Sequence, residues 1–432
     1  MQKSIGFWQS WALVVGTMIG SGIFLLPSVL AQFGSLSLLG WFLTAIGTLL
    51  IALSLGSLSS RIDKEGGPYA YCYEVIGPVA GFIIGWGLWI SFWVSIAASS
   101  VAFAGYASTI LPSIEHDGAF RTLVSLMMVW TLGAIFIFGI RGVGMTQLIT
   151  TVMKLIPLLL IPTLGYVYAE QSVSSILSYE ASEGFFATIA KVVLITMWAF
   201  LGIEVATIPA KETLNAKKTI PRALFFGLLS VTFVYFFATL GLWFLLPTEV
   251  LSQSPSPFAD AAEVIFGPVG ATFVALGIMI SIIGSVNGCL VGTVLLPESM
   301  SDDGLFPAIF SHRNRFGIAW KSLLIALVLI SAVLMLNSNS HLVGVYELLI
   351  VLSTLTAILP YAASAIADLI VQCRNKPIRG IKLMSILRAV GALVFSVCMI
   401  LGAGFDVILY GIILIAAGLP IYWWVKRPMA RG

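Results

Sequence analysis

Twelve apolar runs divide the chain, near 11–31, 36–58, 79–111, 120–140, 146–168, 185–209, 223–246, 262–297, 322–336, 342–370, 387–404 and 407–425. Roughly 20 apolar residues cross a bilayer as a helix. Inside hydrocarbon, only helices and closed barrels satisfy every backbone polar group. Runs of this length and number specify an all-α membrane protein. Composition agrees: 59% of residues are hydrophobic and 9% charged, whereas about a quarter of a soluble protein is charged. The ninth run is short for a span, and the third and eighth are long enough to tilt or bend.

Lysine and arginine collect in cytoplasmic loops and so orient the bundle. With the N-terminus inside, alternation places Arg61, Lys64, Arg141, Lys211, Lys217, Lys218, Arg222, Arg313, Arg315, Lys321, Arg374 and Lys426 on the cytoplasmic side. The opposite loops keep Arg121 and Lys191 but gather Glu115, Asp117, Glu170, Glu249, Asp260 and Glu263. Both termini are therefore expected in the cytoplasm, with the protein multi-pass in the membrane. The net charge of +3 reflects this bias and signals no nucleic-acid partner. The run after Lys3 is long and lacks a small-residue cleavage site, so it reads as a span. Cys72, Cys289, Cys373 and Cys398 have no paired spacing, which argues against a disulfide framework or a zinc site. No cofactor and no metal are expected.

Two of the runs carry a break signal. Gly20-Ser21-Gly22-Ile23-Phe24-Leu25-Leu26-Pro27 and Gly202-Ile203-Glu204-Val205-Ala206-Thr207-Ile208-Pro209 each set a glycine seven residues before a proline. A helix broken at membrane depth is tolerated only where its freed backbone groups meet protein, water or ligand. Paired breaks in the two halves of a chain point to a transporter's binding site. A second correspondence joins Gly77-Pro78 ahead of the third span to Gly267-Pro268 in the eighth run. Five spans separate equivalent elements, and an odd number inverts the second copy. The chain thus reads as a first five-helix repeat (1–170), an inverted second repeat (171–372), and two terminal helices with a short tail (373–432).

Small residues such as Gly20, Ser21 and Gly22 also serve close helix packing; the echo and Pro27 favour a binding role. The half-helix after the break aims N–H groups and a positive dipole end at an anion. The unwound carbonyls of Thr17, Met18, Ile19, Phe200 and Leu201 would take an ammonium. An α-amino acid presents both groups on one carbon. Glu204 is the one carboxylate expected near mid-span, where an ionisable residue is a functional candidate. It either ties the orphan N–H groups of the break or handles protons or substrate. Lys154, two turns into the fifth span, either snorkels or fixes the scaffold as a cation. Trp198, a turn before Glu204, is either core packing or a gate. No catalytic constellation and no phosphate-binding glycine loop is present, which disfavours an enzyme and ATP-driven transport.

Gly20–Pro27, Gly66-Gly67-Pro68-Tyr69-Ala70-Tyr71, Trp198–Glu204 and Asp302-Asp303-Gly304-Leu305-Phe306-Pro307 together resemble the amino acid–polyamine–organocation transporters, nearly end to end. The resemblance implies a leucine-transporter-like fold of twelve transmembrane helices, a five-plus-five inverted repeat, broken helices 1 and 6, and alternating access. It also implies that Ser21 and Gly22 bind the substrate carboxylate, that Trp198 gates, and that Ser353 lies near the site. Lys154 resembles the span-5 lysine of proton-coupled members. The stretch Ser256–Ala261 is similar to basic exchangers, yet Thr17, Leu88, Ile96 and Cys289 stand where those carry asparagine, tyrosine, asparagine and tryptophan. An apolar pocket cannot offset desolvation of a guanidinium.

The expectation is proton-coupled uptake of a neutral amino acid, with exchange of cationic amino acids and their decarboxylated amines as the alternative. The expected binding set is Thr17, Ile19, Gly20, Ser21, Gly22, Trp198, Leu201, Gly202, Cys289 and Ser353. Lys154, Glu204 and Trp198 are the expected coupling and gating residues. The partners are a small amino acid, protons and lipid, with a homodimer as a candidate assembly.

Overall fold

The computed structural model describes residues 5–62, 64–111, 113–138, 140–168, 184–254, 256–336, 342–374, 381–402 and 405–426. Among them, helix follows helix: α1 (Phe7–Met18), α2 (Ser21–Ala31), α3 (Ser35–Arg61), α4 (Pro68–Val75), α5 (Pro78–Ser108), α6 (Ser113–His116), α7 (Gly118–Phe136), α8 (Ile140–Val167) and α9 (Phe185–Phe200). A 3-10 turn at Ile203–Thr207 leads to α10 (Ala216–Leu245), α11 (Thr248–Gln253) and α12 (Pro257–Asp302). After a second 3-10 turn, Ala308–Ser311, come α13 (Trp320–Leu336), α14 (Leu342–Arg374), α15 (Ile381–Gly402), α16 (Phe405–Ala416) and α17 (Leu419–Lys426). Ten helical segments among the described residues are long and apolar enough to cross a membrane, and α13 is a shorter apolar helix.

Local chemistry sets where these helices begin. Gln9 accepts the Gly6 N–H at 3.0 Å ahead of α1, one half of a capping box. Asp117 caps α7 by accepting the N–H groups of Ala119 and Phe120 at 2.8 and 3.2 Å, which satisfies donors that have no helical partner. The long eighth run bends as its length allows: Gly267, at φ 70°, interrupts α12 just before Pro268. The twelfth run divides into α16 and α17, and Trp86 donates to the Leu414 carbonyl at 2.9 Å beside the turn.

In lipid the packing of helices depends on close fit, because the tails are as apolar as leucine. The long α5 is the centre of that packing and lies against both α12 and α14, while α3 runs along α10. Below this apolar packing lies a polar surprise. Glu204 was the one carboxylate expected at depth, but Asp368 on α14 and Glu298 on α12 are buried too, at 0% and 3% exposure. Both fall near the ends of their runs, where sequence position alone does not distinguish burial from a loop.

Asp368 accepts from Arg388 of α15 at 2.7 Å, Ser57 of α3 at 2.9 Å and Gln372 at 3.0 Å. One carboxylate thereby joins three helices. Removing one partner of a buried ion pair leaves a charge without compensation, at a cost of about 3–5 kcal/mol. Asp368→Ala should therefore lower the thermal midpoint of the detergent-purified protein markedly. The double variant Asp368→Leu/Arg388→Met should recover most of that loss.

Candidate functional site

Helix α1 stops at Met18, and the chain turns out of helical geometry at Ile19 (φ −75°, ψ 84°) and Gly20 (φ −124°, ψ −150°) before α2 begins. The last carbonyls of any helix have no partner within it, and here no bulk water is at hand. Side chains from three other helices meet them. The Lys154 ammonium, fully buried on α8, donates to the carbonyls of Gly16 at 2.5 Å and Ile19 at 2.6 Å. Ser285 of α12 donates to the Thr17 carbonyl at 3.0 Å, and Tyr235 of α10 lies 2.7 Å from the Met18 carbonyl. A cation at a helix C-terminus also complements the dipole.

The second break is built differently. Helix α9 ends at Phe200, Leu201 is extended (φ −65°, ψ 146°), and Gly202 turns left-handed at φ 97°. A side chain there would be strained, and its Cβ would lie 2.6 Å from Thr17 Cγ2. The Glu204 carboxylate, 1% exposed, accepts its own N–H and that of Gly202, while Tyr361 of α14 donates its hydroxyl at 2.5 Å. The phenol of Tyr235 also lies 2.7 Å from the Ala199 carbonyl.

Two expectations need correction here. No α-helix restarts after the second break: Ile203–Thr207 is a 3-10 turn, because the Glu204 side chain takes the N–H groups and Pro209 follows, so only α2 offers a full helix N-terminus. Moreover, the carbonyls of Thr17, Met18 and Ile19 already have protein donors. Of the five expected, Phe200 and Leu201 are the ones without a side-chain donor among the described residues.

Between the breaks lies a cleft lined by Thr17, Met18, Gly20, Gly22, Ser91, Phe92, Ser95, Ser99, Trp198, Ala199, Leu201, Gly202, Glu204, Ser285 and Cys289. Most of the expected residues come together there. Trp198 packs on Gly22, where a Cβ would sit 3.0 Å from the indole. Three do not line it. Ile19 is fully buried, with its carbonyl on Lys154. Lys154 bonds the Gly16 and Ile19 carbonyls and is not among the lining residues. Ser353 stands behind the wall, bonded to Ser95 at 2.6 Å and Ser91 at 3.1 Å. Ser21 opens α2, and its side chain lies outside the described residues.

Sequence reasoning missed Ser91, Ser95, Ser99, Ser285, Tyr235 and Tyr361. The three α5 serines are spaced by four, a polar stripe along one helix face, and that signal was available. The pocket is also not apolar. Leu88 and Ile96 are fully buried but absent from the cleft wall, which carries hydroxyls and a carboxylate.

A surface cluster joins two further sequence motifs. The Tyr69 hydroxyl donates to Asp303, and Lys64 bridges Asp303 at 2.9 Å and Glu74 at 3.0 Å. Burial alone would lower the Lys64 pKa, but hydrogen bonds to Asp303 and Glu74 outweigh it and raise the value. Lys64 therefore stays charged. Gly66 donates to the Ile208 carbonyl at 3.2 Å, which ties this loop to the second break.

A bundle of apolar helices, two of them interrupted around one polar cleft, defines a membrane transporter. The chain belongs to the amino acid permease family, whose profile matches residues 5–423, and thus to the transporters it resembled in sequence. A Bacillus subtilis (strain 168) protein described as an arginine/ornithine antiporter is 29% identical over 464 residues, covering 99% of this chain and 98% of that one. The cadaverine/lysine antiporter of Escherichia coli (strain K12) is 28% identical over 373 residues, covering 85% of this chain and 83% of its own. The putrescine transporter PotE of the same strain is 27% identical over 428 residues, covering 98% and 96%.

These names overturn the expectation of neutral amino-acid uptake. All three specify basic amino acids or diamines, and two specify antiport. The expectation rested on Thr17, Leu88, Ile96 and Cys289 replacing the polar and aromatic contacts of basic exchangers; Thr17 and Cys289 line the cleft, whereas Leu88 and Ile96 do not.

Gly202→Ala tests the geometry of the second break. Strain at positive φ, together with the clash on Thr17, should cost transport at least about tenfold, because small misplacements at a site carry large penalties. Gly402→Ala, with open space around its Cβ position, should transport normally in the same proteoliposome assay.

Proposed function

We propose that the protein exchanges a basic amino acid for a diamine or a second basic amino acid across a bacterial inner membrane. One observation carries this: the C-terminal ends of α1 and α9 and the Glu204 carboxylate converge on one hydroxyl-lined cleft. Helix C-termini carry partial negative charge, so the potential there favours a cation. Lys154 offsets part of that charge, but it is bonded to the Gly16 and Ile19 carbonyls and does not itself line the cleft. The relatives' names agree with this polarity.

Within this reading, Gly20, Ser21 and Gly22 at the start of α2 receive a substrate carboxylate, and Trp198 closes over it. Thr17, Leu201, Gly202 and Cys289 shape the rest of the cleft, with Ser353 supporting the serine wall. Glu204 faces the cationic end. Lys154 holds the first break and links it to proton movement. Both termini are cytoplasmic by the distribution of basic residues.

The inverted repeat of 1–170 and 171–372 is supported by matching backbone features. Gly77 and Gly267 both have positive φ immediately before a proline, and the two breaks occupy equivalent places. Residues 373–432 then form a terminal pair. Their apolar windows are 22% and 11% buried, which suits lipid contact or a homodimer.

The test is counterflow with purified protein in proteoliposomes. Vesicles loaded with arginine, ornithine, lysine, putrescine or cadaverine should take up labelled ornithine several-fold faster than empty ones. Stimulation by neutral amino acids alone would refute the proposal. Glu204→Gln should weaken the apparent affinity for ornithine about tenfold or more, as expected from losing a charge-assisted contact of about 1.5–3 kcal/mol.

A further inference from the structure

We propose that Tyr235 is the positioning residue that fixes the spacing of the two broken helices, and that its single hydroxyl proton makes that spacing respond to a cation in the cleft. Tyr235 lies in the middle of the continuous α10 and is fully buried. Its ring is held by Trp41 and Phe200, with centroids 5.0 and 5.4 Å away. Its oxygen is 2.7 Å from the Met18 carbonyl of α1 and 2.7 Å from the Ala199 carbonyl of α9. A phenol thus stands between the negative ends of two half-helices.

The hydrogen count is short by one. A phenol has one proton to donate, and two carbonyl oxygens lie within bonding distance. Met18 also accepts the Gly20 N–H at 2.9 Å, whereas Tyr235 is the only side-chain donor to Ala199 among the described residues. The proton is therefore best placed on Ala199. That leaves the phenol oxygen and the Met18 oxygen at 2.7 Å with no proton between them, which is repulsive.

A cation in the cleft relieves this arrangement. Met18 and Ala199 both line it, so a positive group there lowers the repulsion between the two helix ends. An occupied cleft then holds the ends together, and an empty one lets them part. Tyr235 acts on the substrate only through the two backbones, which separates it from Glu204 and Trp198.

Two readouts test this in a background where Cys289 is the sole cysteine (Cys72, Cys373 and Cys398→Ala). The first is ornithine exchange in proteoliposomes; the second is the rate at which N-ethylmaleimide alkylates Cys289 in the cleft wall. The choice of labelled substrate rests on the exchange reading; the alkylation rate without substrate does not. Tyr235→Phe keeps the ring and removes the hydroxyl. It should cut exchange turnover at least about tenfold and speed alkylation of Cys289 several-fold. Saturating putrescine should slow alkylation in the parent and have little effect in the variant.

Trp41→Phe, which thins the same aromatic cluster but leaves the hydroxyl, should stay near the parent in both assays. Parent-like exchange and alkylation in Tyr235→Phe would overturn the proposal. So would equal losses in both variants, or losses that merely track the amount of folded protein. Were the parent to exchange no basic substrate, the functional reading would fail, and alkylation of the two variants would still decide the role of Tyr235.

Discussion

A carbonyl released from a helix inside hydrocarbon needs a donor, and an unmet one costs several kcal/mol. The architecture of this protein follows from how four such carbonyls are met. Gly16 and Ile19 depend on Lys154, Thr17 on Ser285, and Met18 on the Gly20 N–H. The two side chains come from α8 and α12, so the interrupted α1 is bonded directly to two other helices. The break is the keystone of the bundle as well as one wall of its cleft. A displaced α1 would strand several carbonyls at once.

The same bonding explains the electrical character of the cleft. A buried lysine beside a binding site would ordinarily oppose a cationic ligand. Here the ammonium is bonded to the Gly16 and Ile19 carbonyls and does not line the cleft, whose wall presents Glu204, serine hydroxyls and the ends of two helices. At the second break the carboxylate takes over the task that an α-helical turn would perform, by accepting the Gly202 and Glu204 N–H groups. Positive and negative side chains thus each stabilise one break.

Much of this was legible in the sequence. The apolar runs map onto the helices within a few residues, because hydrocarbon thickness dictates their length. The glycine–proline pairs located both breaks, since few other residues permit the chain to leave helical geometry there. The substrate class was not legible from replaced contact positions, because such matching ignores which way a side chain faces. Leu88 and Ile96 are buried without lining the cleft, whereas Thr17 and Cys289 do line it. Tyr235 and Tyr361 gave no signal, as a tyrosine within a span usually packs. Asp368 sat too near the end of its run to declare its burial.

Bonds away from the cleft bear on how its parts can move. The segment before α1 pairs with the segment after the second break: Ile5 donates to Glu212 at 3.0 Å and Leu214 donates to Ile5 at 2.8 Å. Tyr235 bridges the same two stretches near the breaks themselves. Two clamps, one at each end, make α1 and the chain through 198–214 a single mechanical unit. The Gly66–Ile208 bond connects this unit to the loop that carries Lys64 and Tyr69, and those residues grip Asp303 at the end of α12. Helix α12 in turn carries Ser285 and Cys289 to the cleft. The path closes on itself, so a shift at the breaks reaches the surface cluster by both the loop and the helix. The Lys64 and Tyr69 contacts with Asp303 thus close a continuous bonded path between the breaks and the end of α12.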